Sequence, residues 1–142
     1  DKLDRLLGYI RYYVFELLEE NKIEVEIDFP DVVNNKNILP DFRMHLFYIT
    51  KESVNNALKY SGTNKMKLHF TIDERDRFFY SIKDFGKGFD QNNVRAFSNG
   101  LSSLKNRANA IGCELEIVTE LGKGTEIRLS GIVKYYESSS HD

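Results

Sequence analysis

The chain has 142 residues, 41% of them hydrophobic and 30% charged, with a formal net charge of -2. That length and balance describe one ordinary globular domain with a single core rather than two domains. The charge gives no general attraction to nucleic acid or an anionic membrane, and no apolar run approaches the roughly 18 residues that span a bilayer. One cysteine, Cys113 beside Gly112, excludes an internal disulfide and a multi-cysteine metal site, and it reads as a small strand residue. With no signal-like start, the cysteine usage points to a cytoplasmic domain; a chain opening on Asp1 reads as a piece of a longer protein whose membrane span, if it has one, lies upstream.

Leu3, Leu6, Leu7, Ile10, Val14, Leu17 and Leu18 recur at spacings of three and four, which predicts an amphipathic helix from Leu3 to about Asn21. Ile23, Val25, Ile27 and Phe29 alternate with acidic residues, the period of a half-buried strand, and Pro30 stops it. Residues 31–40, with three asparagines and Pro40, read as a loop. From Asp41 the helical period returns through Phe42, Leu46, Ile49, Val54, Ala57 and Leu58, and Gly62 ends it.

Met66, Leu68, Phe70 and Ile72 share one face of a strand, Phe78, Tyr80 and Ile82 one face of the next, and Asp73 to Asp76 turn between them in an antiparallel hairpin. A polar stretch from Asp90 to Asn99 precedes a helix over about Leu101 to Ala110, capped by Gly112. Leu115 and Ile117, then Ile127, Leu129 and Val133, make two last strands around Gly122 to Gly124. The tail is polar and frayed. The order predicts an α+β two-layer sandwich, with one mixed, mostly antiparallel sheet of about five strands covered on one face by helices. No internal repeat is present.

Three polar clusters stand out. At 100° per residue, Glu52, Asn56 and Lys59 fall within about 60° of one another on the second helix. A carboxylate, an amide oxygen and an ammonium on one helical edge suit a magnesium phosphate group, with the glutamate orienting or deprotonating a water or hydroxyl. A solvated face with an incidental Glu and Lys pair would have the same spacing. Asp84 keeps the parity of Phe78, Tyr80 and Ile82, so its carboxylate points to the core face at a strand end. A buried carboxylate needs a partner, and an adenine amino group would serve. Gly86 and Gly88 then allow backbone conformations closed to other residues, although a short Asp-Phe-Gly-Lys-Gly string also suits a plain turn.

Asn99-Gly100-Leu101 opens the late helix, whose first N–H groups face phosphate oxygens or are simply capped. Gly122-Lys123-Gly124-Thr125 is a hairpin turn, with the Thr125 hydroxyl as a further pocket group. The chain has no Walker loop and no G-x-G-x-x-G after a strand.

Taken in order, these clusters resemble the ATP-binding domain of bacterial sensor histidine kinases, within the superfamily that also holds gyrase, heat-shock chaperones and mismatch-repair ATPases. Glu52 to Ser61 is similar to that family's N box and Asp84 to Gly88 to its first glycine box. Ser98 to Leu101, with Leu104 to Ala108, resembles its second, and Gly122 to Thr125 its final G-x-G-T. The likeness runs from about Ile23 to Val133 and is nearest to the nitrate-sensor and cell-envelope-sensor subfamily. It implies a Bergerat fold over residues 22–134. It makes residues 1–21 the end of a dimerisation helix or a linker, and 135–142 a frayed tail.

The resemblance further implies ATP and magnesium as ligands. Asn56 would bind magnesium, Glu52 would act as base or orient water, and Lys59 would meet phosphate. Asp84 would hold the adenine amino group with support from Thr125. Gly86, Gly88, Gly100 and Leu101 would let the backbone fit the nucleotide, under a lid of residues 90–100. Tyr60 departs from the family's usual histidine and Ser98 from its usual glycine.

None of His45, His69 and His141 lies where the family's phosphoacceptor would be. The expected partners are therefore ATP, a helical phosphoacceptor domain elsewhere in a homodimeric parent and, indirectly, a response regulator. The piece itself is expected to be monomeric and unable to phosphorylate itself. Two other functions are compatible with the motifs: an anti-sigma-type serine kinase of the same fold, and a pseudokinase-like regulatory module that keeps the pocket for its shape.

Overall fold

A computed structural model describes residues 2–32, 34–89 and 94–136, with only the backbone of 94–100. Helix α1, Leu3–Glu20, buries Leu3, Leu6, Leu7, Ile10, Val14 and Leu18, the stripe that its spacing predicts. Strand β1, Glu24–Asp28, follows after Lys22 turns the chain at φ 57°. Helix α2, Pro40–Asn56, starts with proline in its first turn, where a missing N–H costs nothing, one residue ahead of the expected start.

β2, Lys65–Ile72, and β3, Arg77–Asp84, form the predicted hairpin. Asp73 organises its turn by accepting the backbone N–H groups of Arg75 and Arg77 at 2.9 and 3.0 Å. Helix α3, Val94–Ala110, leads through Gly112, at φ 66°, into β4, Glu114–Glu120, and β5, Gly124–Ile132.

The strand order is β1-β2-β3-β5-β4, with β1 parallel to β2 and every other pair antiparallel. A parallel pair needs a long crossover, and α2 supplies it. One face of the sheet presents Met66, Leu68, Phe70, Phe78, Tyr80, Ile82, Ile127 and Leu129 to the helices, all buried. The other face is open and polar, with His69 paired to Asp28 and Arg128 to Glu116 and Glu126. The two-layer α+β reading therefore holds.

Two boundaries differ from the sequence reading. The stripe of α1 belongs to the same core as α2 and the sheet, so the helix expected as the end of a dimerisation helix or a linker is packed as part of the layer. Tyr135 and Tyr136, assigned to a frayed tail, are tied down. Ile38 bridges Tyr135, Tyr136 N–H donates to Asn37 O at 2.8 Å, and the Tyr135 hydroxyl accepts from Asn34 at 3.0 Å. The rest of that tail lies outside the described residues.

Candidate functional site

Asp84 ends β3 on the helix-facing side, 5% exposed, as its parity requires. Its Oδ1 accepts the backbone N–H of Gly86 at 2.9 Å and that of Thr125 at 3.3 Å. Burial pushes its carboxyl above the ordinary range, and the two N–H groups oppose that shift only in part. Oδ2 accepts no hydrogen bond among the described residues. The result is a buried carboxylate with one oxygen committed to the fold and the other available to a donor.

The chain around Asp84 is held by backbone packing. Lys87 N–H donates to Ser61 O at 2.9 Å and Gly122 N–H to Lys87 O at 2.7 Å, which ties the end of the second helix, the segment after β3 and the last hairpin into one layer. A Cβ at Gly86 would strike Ser61 O, one at Gly88 would strike Glu120 O, and one at Gly124 would strike Asp84 O. Gly88 and Gly124 also hold φ values of 68° and 83°. These glycines are therefore required by neighbouring backbone, a reason that the sequence reading did not contain.

Thr119 is a residue that it missed. Its buried hydroxyl accepts from Phe89 N–H at 2.9 Å and lies 2.9 Å from the Thr125 hydroxyl and 3.3 Å from Gly124 O. The Thr125 side chain is thus engaged with Thr119, while its N–H serves Asp84. Alternation in β4 places Thr119 on the face of Leu115 and Ile117; a threonine at the end of an apolar alternation was the available signal.

The other end of the candidate site stands on α2. Past Asn56 the helix widens into a π-type turn, Ala57–Ser61, stopped by Gly62 at φ 65°. Its i→i+5 pattern advances less per residue than the regular 100°, so Lys59 lags the position that a straight projection gives it. Lys59 is exposed and Asn56 half-buried, and neither side chain has a hydrogen-bond partner among the described residues. Tyr60, in the same turn, is 49% exposed.

Glu52 is engaged differently. Arg107 Nε donates to its Oε1 at 2.9 Å, and the Ser103 hydroxyl donates to the same carboxylate at 3.0 to 3.1 Å. Arg107 and Ser103 were not foreseen, because nothing in a linear reading sets α3 against α2.

The start of α3 is a correction. Its backbone is helical from Val94, so Gly100 and Leu101 lie in its interior, where N–H groups bond within the helix and cannot open toward phosphate. Spacing already carried the signal: Val94, Phe97, Leu101, Leu104 and Ala108 recur at three and four, which outweighs the asparagines and Gly100. Leu101 packs against the core. Of the expected lid, 94–100 has helical backbone, and 90–93 lie outside the described residues.

A family model described as histidine kinase-, DNA gyrase B-, and HSP90-like ATPase matches residues 42–132, which include all but the first two residues of α2, Asp84 and the last hairpin. The chain belongs to that family. As such an ATPase domain it has the ATP-binding fold, and the strands and helices above are that fold's own. The sensor histidine kinase LiaS of Bacillus subtilis is 34% identical over 118 residues, covering 80% of this chain and 31% of LiaS. The sensor protein VraS of Staphylococcus epidermidis is 31% identical over 140 residues, covering 98% of this chain and 39% of VraS.

The chain thus spans about a third of the length of the curated relatives it matches. Among solved structures, full-length ShkA in complex with AMPPNP superposes with a TM-score of 0.73 at 21% identity, covering 97% of this chain and 31% of that one. The blue-light activated histidine kinase of Erythrobacter litoralis EL346 does so at 0.71 and 18%, covering 90% of this chain and 41% of that one. Both likenesses are of fold.

Within this ATPase family, the donor set of the described residues suits a nucleotide better than a free metal ion. Among the described residues no three His, Cys, Asp or Glu side chains converge on one point. Magnesium commonly takes one or two protein oxygens and completes its shell with phosphate and water, a demand that the amide of Asn56 can meet. No described helix is long and apolar enough to cross a membrane.

Proposed function

We propose that this chain is the catalytic ATP- and magnesium-binding part of a sensor histidine kinase, donating the γ-phosphate of ATP to a histidine on a helical domain elsewhere in the parent protein. The observation that carries the reading is the buried Asp84 carboxylate. Oδ1 is held by two backbone N–H groups, and Oδ2 is open to a donor such as the adenine amino group. Thr125 keeps that carboxylate in place through its own N–H, and Gly86 and Gly88 let the following chain lie close to the base.

Asn56 supplies the magnesium ligand and Lys59 neutralises phosphate. Glu52 orients a water or the acceptor. Bound magnesium spreads the charge that builds on the phosphoryl oxygens, and the protein's share of such a transfer is mostly positioning. The similarity to LiaS, a sensor histidine kinase, favours histidine as the acceptor. His45 is set against Arg107 and His69 against Asp28, so the acceptor is sought outside these two.

We further propose that α1 belongs to the same ATP-binding unit. The parent is a homodimer, this unit works on the cytoplasmic side of a membrane-anchored or soluble parent, and a response regulator receives the phosphate. Titration calorimetry with a non-hydrolysable ATP analogue, with and without magnesium, tests the core of the reading. Saturable binding that tightens with magnesium supports it. No heat and no thermal shift would leave a regulatory module that keeps only the shape of the pocket.

A further inference from the structure

Glu52 and Arg107 lie 55 residues apart, and only the packing of α3 on α2 brings them together. Their side chains are 27% and 26% exposed, so the pair is shielded more than an ordinary surface ion pair. Ser103 and Arg107 are four residues apart on α3, hence on one face, and both donate to the same carboxylate. Residues of α2 fix the guanidinium in turn. It lies 4.6 Å over the Tyr48 ring, and its Nη1 is 3.4 Å from His45 Nδ1. His45, Tyr48 and Glu52 sit at spacings of three and four along α2, so they form one cradle around the Arg107 head.

We infer that Arg107, assisted by Ser103, is the positioning residue that aims the Glu52 carboxylate for phosphoryl transfer. This rests on the ATP-binding reading and adds to it the device that holds the glutamate still. An ionised carboxylate offers about four acceptor sites. One N–H from Arg107 and one shared hydroxyl hydrogen from Ser103 occupy part of that capacity, chiefly at Oε1. Oε2 keeps room for a water beside the phosphates. The side chain is then fixed in direction without being saturated. Because Arg107 stands on the helix that continues from the expected lid, the aim of Glu52 is coupled to where α3 sits.

The test uses the full-length kinase. Two quantities are measured, affinity for a non-hydrolysable ATP analogue and the rate of phosphoryl transfer from ATP to the protein's histidine. Arg107→Gln should slow transfer about 10- to 100-fold, the usual consequence of a misplaced catalytic group, while analogue affinity stays within about threefold. Arg107→Lys should recover part of the rate, because it restores charge near the carboxylate. Ser103→Ala should slow transfer by a smaller factor.

In a Glu52→Gln background, Arg107→Gln and Ser103→Ala should have little further effect, since the group they position no longer acts. Equal slowing by Arg107→Gln in both backgrounds would overturn the inference, as would affinity falling in step with rate, or an unchanged rate. Should Arg107→Gln fail to fold, as judged by thermal unfolding, Ser103→Ala with its Glu52→Gln partner carries the same decision. An unaltered protein that binds no analogue would instead remove the ATP reading, a distinct failure.

Discussion

The two ends of the candidate site are built from different materials. Around Asp84 the framework is backbone: glycines at 86, 88 and 124 let three chain segments touch, and amide hydrogens grip one carboxylate oxygen. Around Asn56 the framework is side chains projecting from a helix that changes pitch at Ala57, with a shielded ion pair to α3. A pocket framed by backbone contacts has little freedom to adjust. A side-chain cluster stays adjustable. The end around Asp84, proposed for adenine, is therefore suited to constant recognition, and the end around Asn56, proposed for phosphate, to being set by the position of α3.

The contrast is sharpest at the glycines. Gly124→Ala should cost the most, about 3 kcal/mol or more, because it combines a positive φ with a collision against Asp84 O. Thermal or urea unfolding would show it, and a change under 1 kcal/mol would contradict the idea of a backbone-built end.

Asp84→Asn comes next. The amide oxygen can keep the N–H groups of Gly86 and Thr125, so its NH2 then meets the adenine amino group donor to donor. Analogue affinity should drop about 100-fold, near 2.7 kcal/mol, with the fold intact. The carboxyl of Asp84 is raised in the folded chain by burial. Its contribution to stability is accordingly present below its unfolded value and lost as pH rises through the raised one. The nucleotide-free Asn variant should thus be the more stable form at neutral pH, and its advantage should fade as pH falls through the folded value. Chemical denaturation at several pH values measures this.

Asn56→Asp tests the adjustable end. Placing a second anion near phosphate should weaken analogue binding by about tenfold in the absence of magnesium, roughly 1.4 kcal/mol, with part of the loss recovered when magnesium is added. The smallest effect is expected at Gly122→Ala. Gly122 shares a positive φ, 81°, with Gly124, yet a Cβ there meets nothing within 4 Å. Conformational strain alone should cost about 1 kcal/mol. Equal losses at 122 and 124 would break the comparison, because they would remove backbone collision as the cause.

Several of these features could be read from the linear chain, for reasons particular to each. Asp84 was placed on the core side by a two-residue period, and a strand has no other way to turn its side chains. The stripe of α1 was equally plain, although its destination was not. A helix stripe states that something covers it, and only packing shows that the cover is this same core. The edge formed by Glu52, Asn56 and Lys59 was half legible: it assumed an unbroken helix, and the π-type turn altered the place of Lys59. The start of α3 is not where the asparagines and Gly100 place it, because the periodic signal that runs back to Val94 prevails over local composition.

What the sequence determined by itself was periodicity and parity: which residues face inward, where glycine punctuates the chain, and hence the order of elements and the presence of one inward carboxylate. These depend on backbone geometry within a few residues. What only the tertiary structure decided was which distant groups meet. Gly88 against Glu120, Thr119 with Phe89, and Arg107 on Glu52 are contacts between segments whose separation along the chain carries no trace of them. They arise when helices settle on a twisted sheet, because close packing allows few arrangements of those layers, and each brings its own set of side chains together.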